Sequence, residues 1–169
     1  MKTLEAIQTR RSVRKYTDKP IAENMMHSLL AAAMSAPSAG NQQPWHFIVI
    51  TDKKLMQEVA AVHPHAGMIT QAAAAMMICG DETLEKYKGF WPQDCSAATQ
   101  NILLAAHAQG LGAVWAGIYP DIDRMQAIRN IFKIPKHIAP FSLIPLGYPA
   151  ENKPGENRFK QDRVHTNRW

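Results

Sequence analysis

Four cations lie close in sequence to one serine hydroxyl at the start of the stretch RRSVRKYTDKP, near the amino terminus. The hydroxyl belongs to Ser12, and the cations are Arg10, Arg11, Arg14 and Lys15. Forked guanidinium donors and a hydroxyl can together engage several oxygens of a phosphate monoester. In an extended turn, alternate residues share a side, which would group Arg10, Ser12 and Arg14. The cluster therefore favours a phosphate site. The alternative is a solvated cluster of cations that closes the first helix, where the helix dipole favours positive charge.

Other motifs that carry chemistry are absent from the sequence. The stretch GLGAVW follows a predicted helix and enters a strand, so Gly110 and Gly112 indicate a helix stop and a tight turn rather than a dinucleotide fingerprint. No P-loop or GxSxG elbow is present. His63 and His65 flank a proline without a carboxylate close by in sequence, and no metal site is expected. If the protein is an enzyme, a bound cofactor is expected to carry the chemistry.

The composition is that of a globular protein with anionic partners. Hydrophobic residues make up 46% and charged residues 20% of the 169 positions, which predicts one folded unit with a packed core. The formal charge is +5 and the pI is about 9.3. Phosphates on a small cofactor, nucleic acid or an anionic membrane surface would each suit this charge. Charge alone does not choose among them.

Cysteine usage and apolar patterning bear on the compartment. Cys79 and Cys95 lie in unlike settings without CxxC or Cys/His ligand spacing, and are interpreted as reduced structural thiols. No stretch approaches the roughly 18 apolar residues that span a membrane, and MKTLEAIQTRRS lacks the apolar core of a signal peptide. We expect a cytoplasmic protein that does not insert into membranes.

Helical and strand patterns alternate along most of the chain. Apolar spacing predicts helices over residues 3–9, 21–36, 53–62, 92–110 and 121–134. Asp94 is a candidate N-cap of the fourth helix, and Gly110 its stop. Runs rich in β-branched and aromatic residues predict strands over residues 45–52, 72–80, 111–120 and 139–149. Residues 150–169 have no apolar stripe, so one domain over 1–169 with an extended C-terminal arm is expected.

Four blocks of sequence together resemble the FMN-dependent nitroreductase family. They occur in the family's order and span nearly the whole chain: RRSVRKYTDKP, SAPSAGNQQPWHFIVITD, DCSAATQNILLAAHAQGLGAVWAGIY, and IPLGYP followed by an arginine-bearing tail. The resemblance implies an α+β fold of the nitroreductase-like three-layer sandwich type, with a mixed sheet flanked by helices. It also implies an intertwined homodimer with two FMN sites at the subunit interface. This chain would be a compact member.

The first and last blocks imply how the cofactor is anchored. Carried over by position, the resemblance assigns the FMN phosphate to Arg10 and Ser12, with Arg11 adjoining. It places Arg14 near N1 and O2 of the flavin ring, where negative charge develops when N5 takes up hydride. Arg14 would therefore tune the ring. From the tail, Arg158 would return to the phosphate, with Lys160 as a further candidate.

The middle blocks imply the residues around the ring. The loop between the second helix and the first strand would come from the other subunit and line the flavin through Pro37, Ser38, Ala39, Asn41 and Gln43. A plain helix-to-strand loop is the alternative, because proline, serine, glycine and asparagine are ordinary turn residues. The backbone after Trp115 would pass over the flavin, with the amide of Gly117 or Ile118 facing N5. Contacts from residues 63–71 stay open.

Two aromatic residues could form a substrate pocket. Phe90 and Trp91 lie between the second strand and the long helix, where they could cover the flavin and select among acceptors. The alternative is that they close an edge of the core. Whether residues 87–93 form a mobile lid stays open.

The resulting functional prediction is an FMN-dependent NAD(P)H oxidoreductase. It would take hydride from NADH or NADPH and reduce nitroaromatic, quinone or similar small-molecule acceptors by a ping-pong mechanism, without a side-chain nucleophile. The acceptor and the preferred nicotinamide donor stay open. One alternative is a flavin-binding protein without turnover. Another is a basic nucleic-acid-binding module, but the four tryptophans form no stacking face and no RNP or helix-turn-helix signature occurs. We therefore expect no nucleic-acid partner.

Overall fold

The computed structural model describes residues 1–169 and contains five α-helices and five β-strands. The helices are α1 (Thr3–Thr9), α2 (Glu23–Met34), α3 (Lys53–Val62), α4 (Trp91–Ala108) and α5 (Ile122–Phe132). The strands are β1 (Trp45–Ile50), β2 (Ala74–Asp81), β3 (Gly112–Ala113), β4 (Ala116–Gly117) and β5 (Ile138–Gly147). Short 3-10 turns separate several of them. The predicted α1 and α3 agree with the observed bounds.

The strands form one sheet in the order β1-β2-β5-β3, with β4 pairing β5 further along the same edge. All strand pairings are antiparallel, and β2 and β5 are buried along their whole length. The sheet is mixed only through an isolated parallel bridge between Ser12 and Ala113. The central strands β2 and β5 are continuous runs of mainly apolar residues, because helices cover both faces of the sheet.

Two hydrophobic clusters lie on opposite faces of this sheet. On one face, α2 and α4 bury side chains such as Leu29, Ile102 and Leu103 against Met76 and Ile144. On the other face, α3 and α5 do the same with residues that include Met56, Val59, Ile128, Met77 and Leu143. The arrangement is a three-layer α+β sandwich, which confirms the predicted fold class.

The predicted single strand over residues 111–120 is interrupted. β3 and β4 share one register with β5, since Ala113 lies opposite Leu146 and Ala116 opposite Leu143. In that register Val114 faces Pro145, which has no amide hydrogen to donate. The ladder breaks at this point, and Trp115 lies in the gap with its side chain partly exposed.

The predicted N-cap of α4 is also wrong. The helix begins at Trp91, with Pro92 in its first turn, so Asp94 lies inside the helix rather than ahead of it. Its side chain is buried and faces the loop before β1. Asp94 thus joins two segments instead of capping one.

The last segment of the chain lies open on the surface. Residues 152–169 are exposed apart from Lys153, and a 3-10 turn over Gln161–Arg163 is their only element. Phe159 is 69% exposed, and Trp169 is fully exposed. None of the helices is long and apolar enough to cross a membrane.

Candidate functional site

The predicted cation cluster lies on an extended segment that runs beside β3. The amide of Val13 donates a hydrogen bond of 3.0 Å to the Ala113 carbonyl, next to the bridge between Ser12 and Ala113. This contact needs a glycine in β3, because a Cβ on Gly112 would lie 2.6 Å from the Val13 side chain. The segment of residues 10–14 is therefore held against the edge of the sheet.

The other side of this segment is held by an ion pair. Glu151 accepts a hydrogen bond of 2.7 Å from the Arg14 amide and pairs with the Lys153 ammonium at 2.9 Å. The Arg14 amide and Lys153 lower the pKa of Glu151. Lys153 also donates to the Ser12 carbonyl at 2.8 Å. Neither Glu151 nor Lys153 was predicted, since nothing in the sequence relates them to residues 12–14.

One cleft, here called the three-arginine cleft, opens at the start of the segment. It has a volume of about 580 Å³ and lies between residues 7–11 and 155–159, so it brings together Arg10, Arg11 and Arg158, the three arginines assigned to the phosphate. Burial lowers the pKa of Arg10, and the positive charges of Arg11 and Arg158 add to that effect. Glu156 pairs with Arg158 at 3.2 Å and is the only acidic residue lining the cleft. The cleft is electropositive.

This cleft fits a phosphate group. Arg11 donates through Nη1 to the carbonyls of Gln8 and Arg10, at 3.3 and 2.8 Å, while its buried Nη2 has no partner in the chain. A buried donor without an acceptor is unfavourable, and phosphate oxygens would supply acceptors as well as negative charge. The residues present therefore suit the phosphate end of FMN.

A second cleft, here called the Arg14 cleft, opens at the other end of the segment. Its volume is about 590 Å³, and it brings Arg14 together with β4 and with the turn after α3. Its lining includes Met68, Trp115 and Gly117. Residues 64–68, whose contacts were left open by the sequence, thus share a wall with the cation predicted to face the flavin ring.

The backbone of β4 distinguishes Gly117 from Ile118. The Ile118 amide donates to the Phe141 carbonyl at 3.0 Å, so it cannot face a flavin. This corrects the prediction for Ile118. In an antiparallel ladder, alternate residues point their amides away from the partner strand, so the Gly117 amide points away from β5. A Cβ on Gly117 would meet nothing closer than 4.0 Å, so internal packing does not require a glycine.

Two residues for which the sequence predicted no such contact fix the Gly117 carbonyl. His63 Nε2 lies 3.0 Å from this oxygen, and Arg124 Nη1 donates to it at 2.7 Å. Arg124 also pairs with Asp121 at 3.0 Å. The only sequence signal was the histidine pair around Pro64, which was considered for metal binding and not for a backbone contact.

The loop before β1 lies away from both clefts within one chain. Asn41 and Gln43 have positive φ angles of 53° and 46°, and their side chains are hydrogen-bonded to each other at 3.0 Å. The loop is tied to the segment after β2, where the amides of Lys86 and Tyr87 donate to Gln42. None of the predicted ring contacts in it lines either cleft: Pro37, Ser38, Ala39, Asn41 and Gln43.

Phe90 and Trp91 have different environments. The Trp91 ring is 5% exposed and packs 4.8 Å from Tyr119 and 5.8 Å from Phe141, measured between ring centroids. A Cβ on Gly80 would lie 2.2 Å from the Trp91 ring, so the strand makes room for it. The Phe90 ring is 44% exposed. Trp91 thus occupies a core position in the single chain, and acceptor selection by these two residues stays a prediction.

Three further predicted positions are accounted for. Ser12 lies between the two clefts and lines neither, while its backbone makes the contacts described above. Lys160 is exposed and lies outside the three-arginine cleft. Trp45 is buried in the cluster beneath α2 and α4, so it packs in the core.

A family model described as the nitroreductase family matches this chain over residues 7–77 and 64–148. A relative from Methanothermobacter thermautotrophicus is 52% identical over 169 residues, which cover all of this chain and 88% of the relative. That protein is provisionally named an NADH dehydrogenase/NAD(P)H nitroreductase.

Solved structures agree with this match. One from Parabacteroides distasonis, which carries the same provisional name, superposes with a TM-score of 0.95 at 41% identity. The alignment covers 99% of this chain and 98% of the other. A provisionally assigned nitroreductase from Desulfovibrio desulfuricans, solved in complex with FMN, superposes with a TM-score of 0.86 at 28% identity. This alignment covers 100% of the present chain and 98% of the Desulfovibrio desulfuricans chain.

Proposed function

Because the chain belongs to the nitroreductase family, we propose that it is an FMN-dependent oxidoreductase that uses NADH or NADPH to reduce nitroaromatic, quinone or similar acceptors. Bound FMN would supply the redox chemistry, taking hydride at N5 and passing electrons on in a ping-pong cycle. The provisional names of the relatives and the FMN complex of one of them support this reaction class. The protein's own residues would bind FMN, orient it and stabilise the negative charge that develops on its ring.

One observation carries the proposal: a single extended segment joins the two clefts. Residues 10–14 begin in the three-arginine cleft and end with Arg14 in the other cleft. A cofactor with a phosphate at one end and an electron-accepting ring at the other needs this order of residues. The contacts from β3, Glu151 and Lys153 keep the segment extended, so the two ends keep a fixed spacing.

The residues of the two clefts would have distinct roles. Arg10, Arg11 and Arg158 would anchor the phosphate through charge-assisted hydrogen bonds. Arg14 would place positive charge where the ring becomes negative on reduction, which favours hydride uptake. The outward-pointing amide of Gly117 would face N5. No side chain in either cleft is required as a nucleophile.

A second copy of the chain would complete the site. The loop of residues 37–43 lines neither cleft within one chain, so its predicted flavin contacts require another subunit. The exposed arm carries Phe159 and Trp169, whose apolar surface finds no cover in the single chain. We expect a homodimer of single-domain subunits in which each arm packs on the partner.

The absorbance spectrum of the purified protein tests this proposal. Flavin bands in the visible range, lost on anaerobic addition of NADH or NADPH and restored by a nitroaromatic or a quinone, are the expected result. Flavin bands that persist with both donors would indicate a binding protein without turnover. Protein that neither retains nor takes up FMN would overturn the assignment.

A further inference from the structure

The carbonyl of Gly117 is held by two side chains at once. His63 comes from the end of α3 and Arg124 from the first turn of α5, and their nitrogens lie 3.0 and 2.7 Å from this oxygen. A carbonyl has two lone pairs, and both are used here. Gly117 has no side chain that packing could confine, so these bonds restrain it in addition to the pairing of its neighbours with β5.

The proton on His63 can be placed from its neighbours. The amide of His65 donates to Nδ1 of His63 at 3.2 Å, so Nδ1 is an acceptor and Nε2 carries the hydrogen. Nε2 therefore donates to the Gly117 carbonyl. The His63 side chain is buried, and burial lowers its pKa even though the bond to Gly117 opposes that shift. His63 is thus a neutral imidazole with both nitrogens satisfied.

Arg124 donates to the Gly117 carbonyl although one of its own nitrogens is left without a hydrogen-bond partner. One nitrogen of its guanidinium donates to Gly117 and another pairs with Asp121, while its buried Nε has no partner in the chain. A buried donor left without an acceptor is unfavourable. The bonds to Gly117 and Asp121 therefore hold the guanidinium in this orientation despite that cost. Asp121 in turn caps α5 by accepting from the Arg124 amide at 2.9 Å. The arginine is thus anchored at both ends.

The peptide groups on either side of the Gly117 α-carbon are held by different elements. The preceding group, which contains the Gly117 amide, is paired to β5 through Ala116. The following group is fixed through its oxygen by His63 and Arg124 and through its nitrogen by Phe141. With both groups restrained, the direction of the Gly117 amide is set to within a narrow range.

We propose that His63 and Arg124 are positioning residues that aim the Gly117 amide at N5 of the flavin. The inference rests on the proposed function, because it needs FMN in the Arg14 cleft. A hydrogen-bond donor directed at N5 makes that atom a better hydride acceptor. The size of this effect depends on how well the donor is held in place before the reaction. A misplacement of about 1 Å can slow a reaction by roughly a hundredfold. Neither residue needs to touch the flavin.

The test compares two pairs of variants reconstituted with FMN labelled with ¹⁵N at N5. His63→Leu removes the donor to Gly117, whereas His63→Gln keeps an amide that can donate to the same oxygen. Arg124→Met removes the second donor. Arg129→Met is the matched control, because Arg129 lies on the same helix and also donates to backbone carbonyls, at 2.8 Å to Ile138, the first residue of β5.

We expect the N5 resonance of His63→Leu and Arg124→Met to move toward that of a flavin without a hydrogen bond at N5. Flavin reduction at saturating NADH or NADPH should slow by about tenfold to a hundredfold in both. His63→Gln and Arg129→Met should retain the wild-type resonance and rate. FMN affinity should stay within about twofold in all four, since the three-arginine cleft is unchanged.

A wild-type N5 resonance and rate in both His63→Leu and Arg124→Met would overturn the inference, while a yellow protein bleached by NADH or NADPH would leave the proposed function intact. If His63→Leu does not fold, Arg124→Met against Arg129→Met provides the same comparison. A protein that does not bind FMN would overturn both proposals. The two failures are therefore distinguishable.

Discussion

The Asp94 carboxylate, in the first turn of α4, accepts a hydrogen bond of 2.6 Å from the Gln42 side-chain amide. The same carboxylate accepts the Ala39 amide at 3.0 Å, so one buried acid fixes the loop before β1 at two points. The Gln42 side chain also accepts a hydrogen bond from the Lys86 amide, in the segment after β2. The loop predicted to reach a partner's flavin is thus set by a residue of the long helix.

Replacing Asp94 with alanine should loosen this loop. The variant leaves the Ala39 amide and the Gln42 amide without an acceptor, which should lower the free energy of unfolding by roughly 1 to 3 kcal/mol. Chemical denaturation measures this loss. Ser96→Ala on the same helix removes only a bond to the Pro92 carbonyl and is the control. Equal stability of the two variants would mean that the Asp94 contacts contribute little.

Arg14 and Arg158 should have separable effects, because they lie in different clefts. Removing Arg158 removes a charge-assisted bond to phosphate, worth roughly 1.5 to 3 kcal/mol, or about tenfold to a hundredfold in FMN affinity. Excess FMN should restore the turnover of Arg158→Ala. Arg14→Ala should lower the flavin's reduction potential and slow its reduction even when saturated with FMN.

Stopped-flow reduction and potentiometric titration of both alanine variants at saturating FMN provide the measurement. Lys160→Ala is a matched control, because this cation lies in the same arm as Arg158 but outside the cleft. Complete rescue of Arg14→Ala by excess FMN would show that Arg14 is only another anchor.

Trp91 and Phe90 should differ in what they control. Trp91 is buried among Tyr119 and Phe141, so Trp91→Ala should cost about 3 to 5 kcal/mol of stability. Phe90 is half exposed, so Phe90→Ala should change stability by less than about 0.5 kcal/mol and instead alter the ratio of kcat/KM between acceptors. Thermal unfolding and a panel of nitroaromatics and quinones test this. An unchanged panel in Phe90→Ala would show that Phe90 does not select among acceptors.

Stability should fall as the pH drops below neutrality, because the pKa of buried His63 is lowered. The unfolded chain, with an ordinary histidine pKa near 6.5, then binds a proton that the folded protein excludes. The contribution is therefore complete above about pH 6.5 and lost as the pH falls toward the folded pKa. The His107 pKa is lowered as well, mainly by burial, so it adds to the same trend.

Urea denaturation between about pH 5 and 8 measures this dependence. His63→Gln cannot titrate and should flatten part of the slope, and adding His107→Gln should flatten more of it. Parallel curves for His63→Gln and the wild type would indicate that His63 does not titrate differently on folding.

Assembly should depend on the arm. A homodimer of this kind is expected to bury more than about 2,000 Å² and should sediment at twice the chain mass of 18.9 kDa. Exchanging Phe159 and Trp169 for serine should weaken the dimer, because both side chains are exposed in the single chain. Sedimentation velocity at micromolar concentration provides the measurement. A flavin-loaded wild-type monomer would contradict the expectation.

Local patterns predicted the elements, because their determinants are local. The 3.6-residue spacing of apolar residues predicted α3 at its observed bounds, and the apolar runs predicted β2 and β5. The strand after α4 was predicted as continuous because its interruption is caused by Pro145 on a distant strand. Asp94 was interpreted as a cap because its partners, Ala39 and Gln42, lie far away in sequence.

The same distinction applies to the candidate site. Arg10, Arg11 and Arg14 were singled out because charge and spacing within RRSVRKYTDKP are visible in the sequence, whereas Arg158 was assigned from the family resemblance. His63, Arg124 and Glu151 were missed because each acts on a backbone atom, and a backbone atom leaves no pattern in the side-chain sequence. Ile118 was wrong for the related reason that adjacent amides in a strand point in opposite directions.

The three-arginine cleft takes one wall from residues 7–11 and the other from residues 155–159. During synthesis the first wall leaves the ribosome long before the second, because the two are far apart in sequence. Until residues 155–159 have emerged, the nascent chain lacks one wall of the proposed anion site, so FMN binding there would follow their release. Cleavage of the exposed chain just ahead of residue 155 would separate the two walls in the finished protein, so limited proteolysis there is expected to weaken FMN binding.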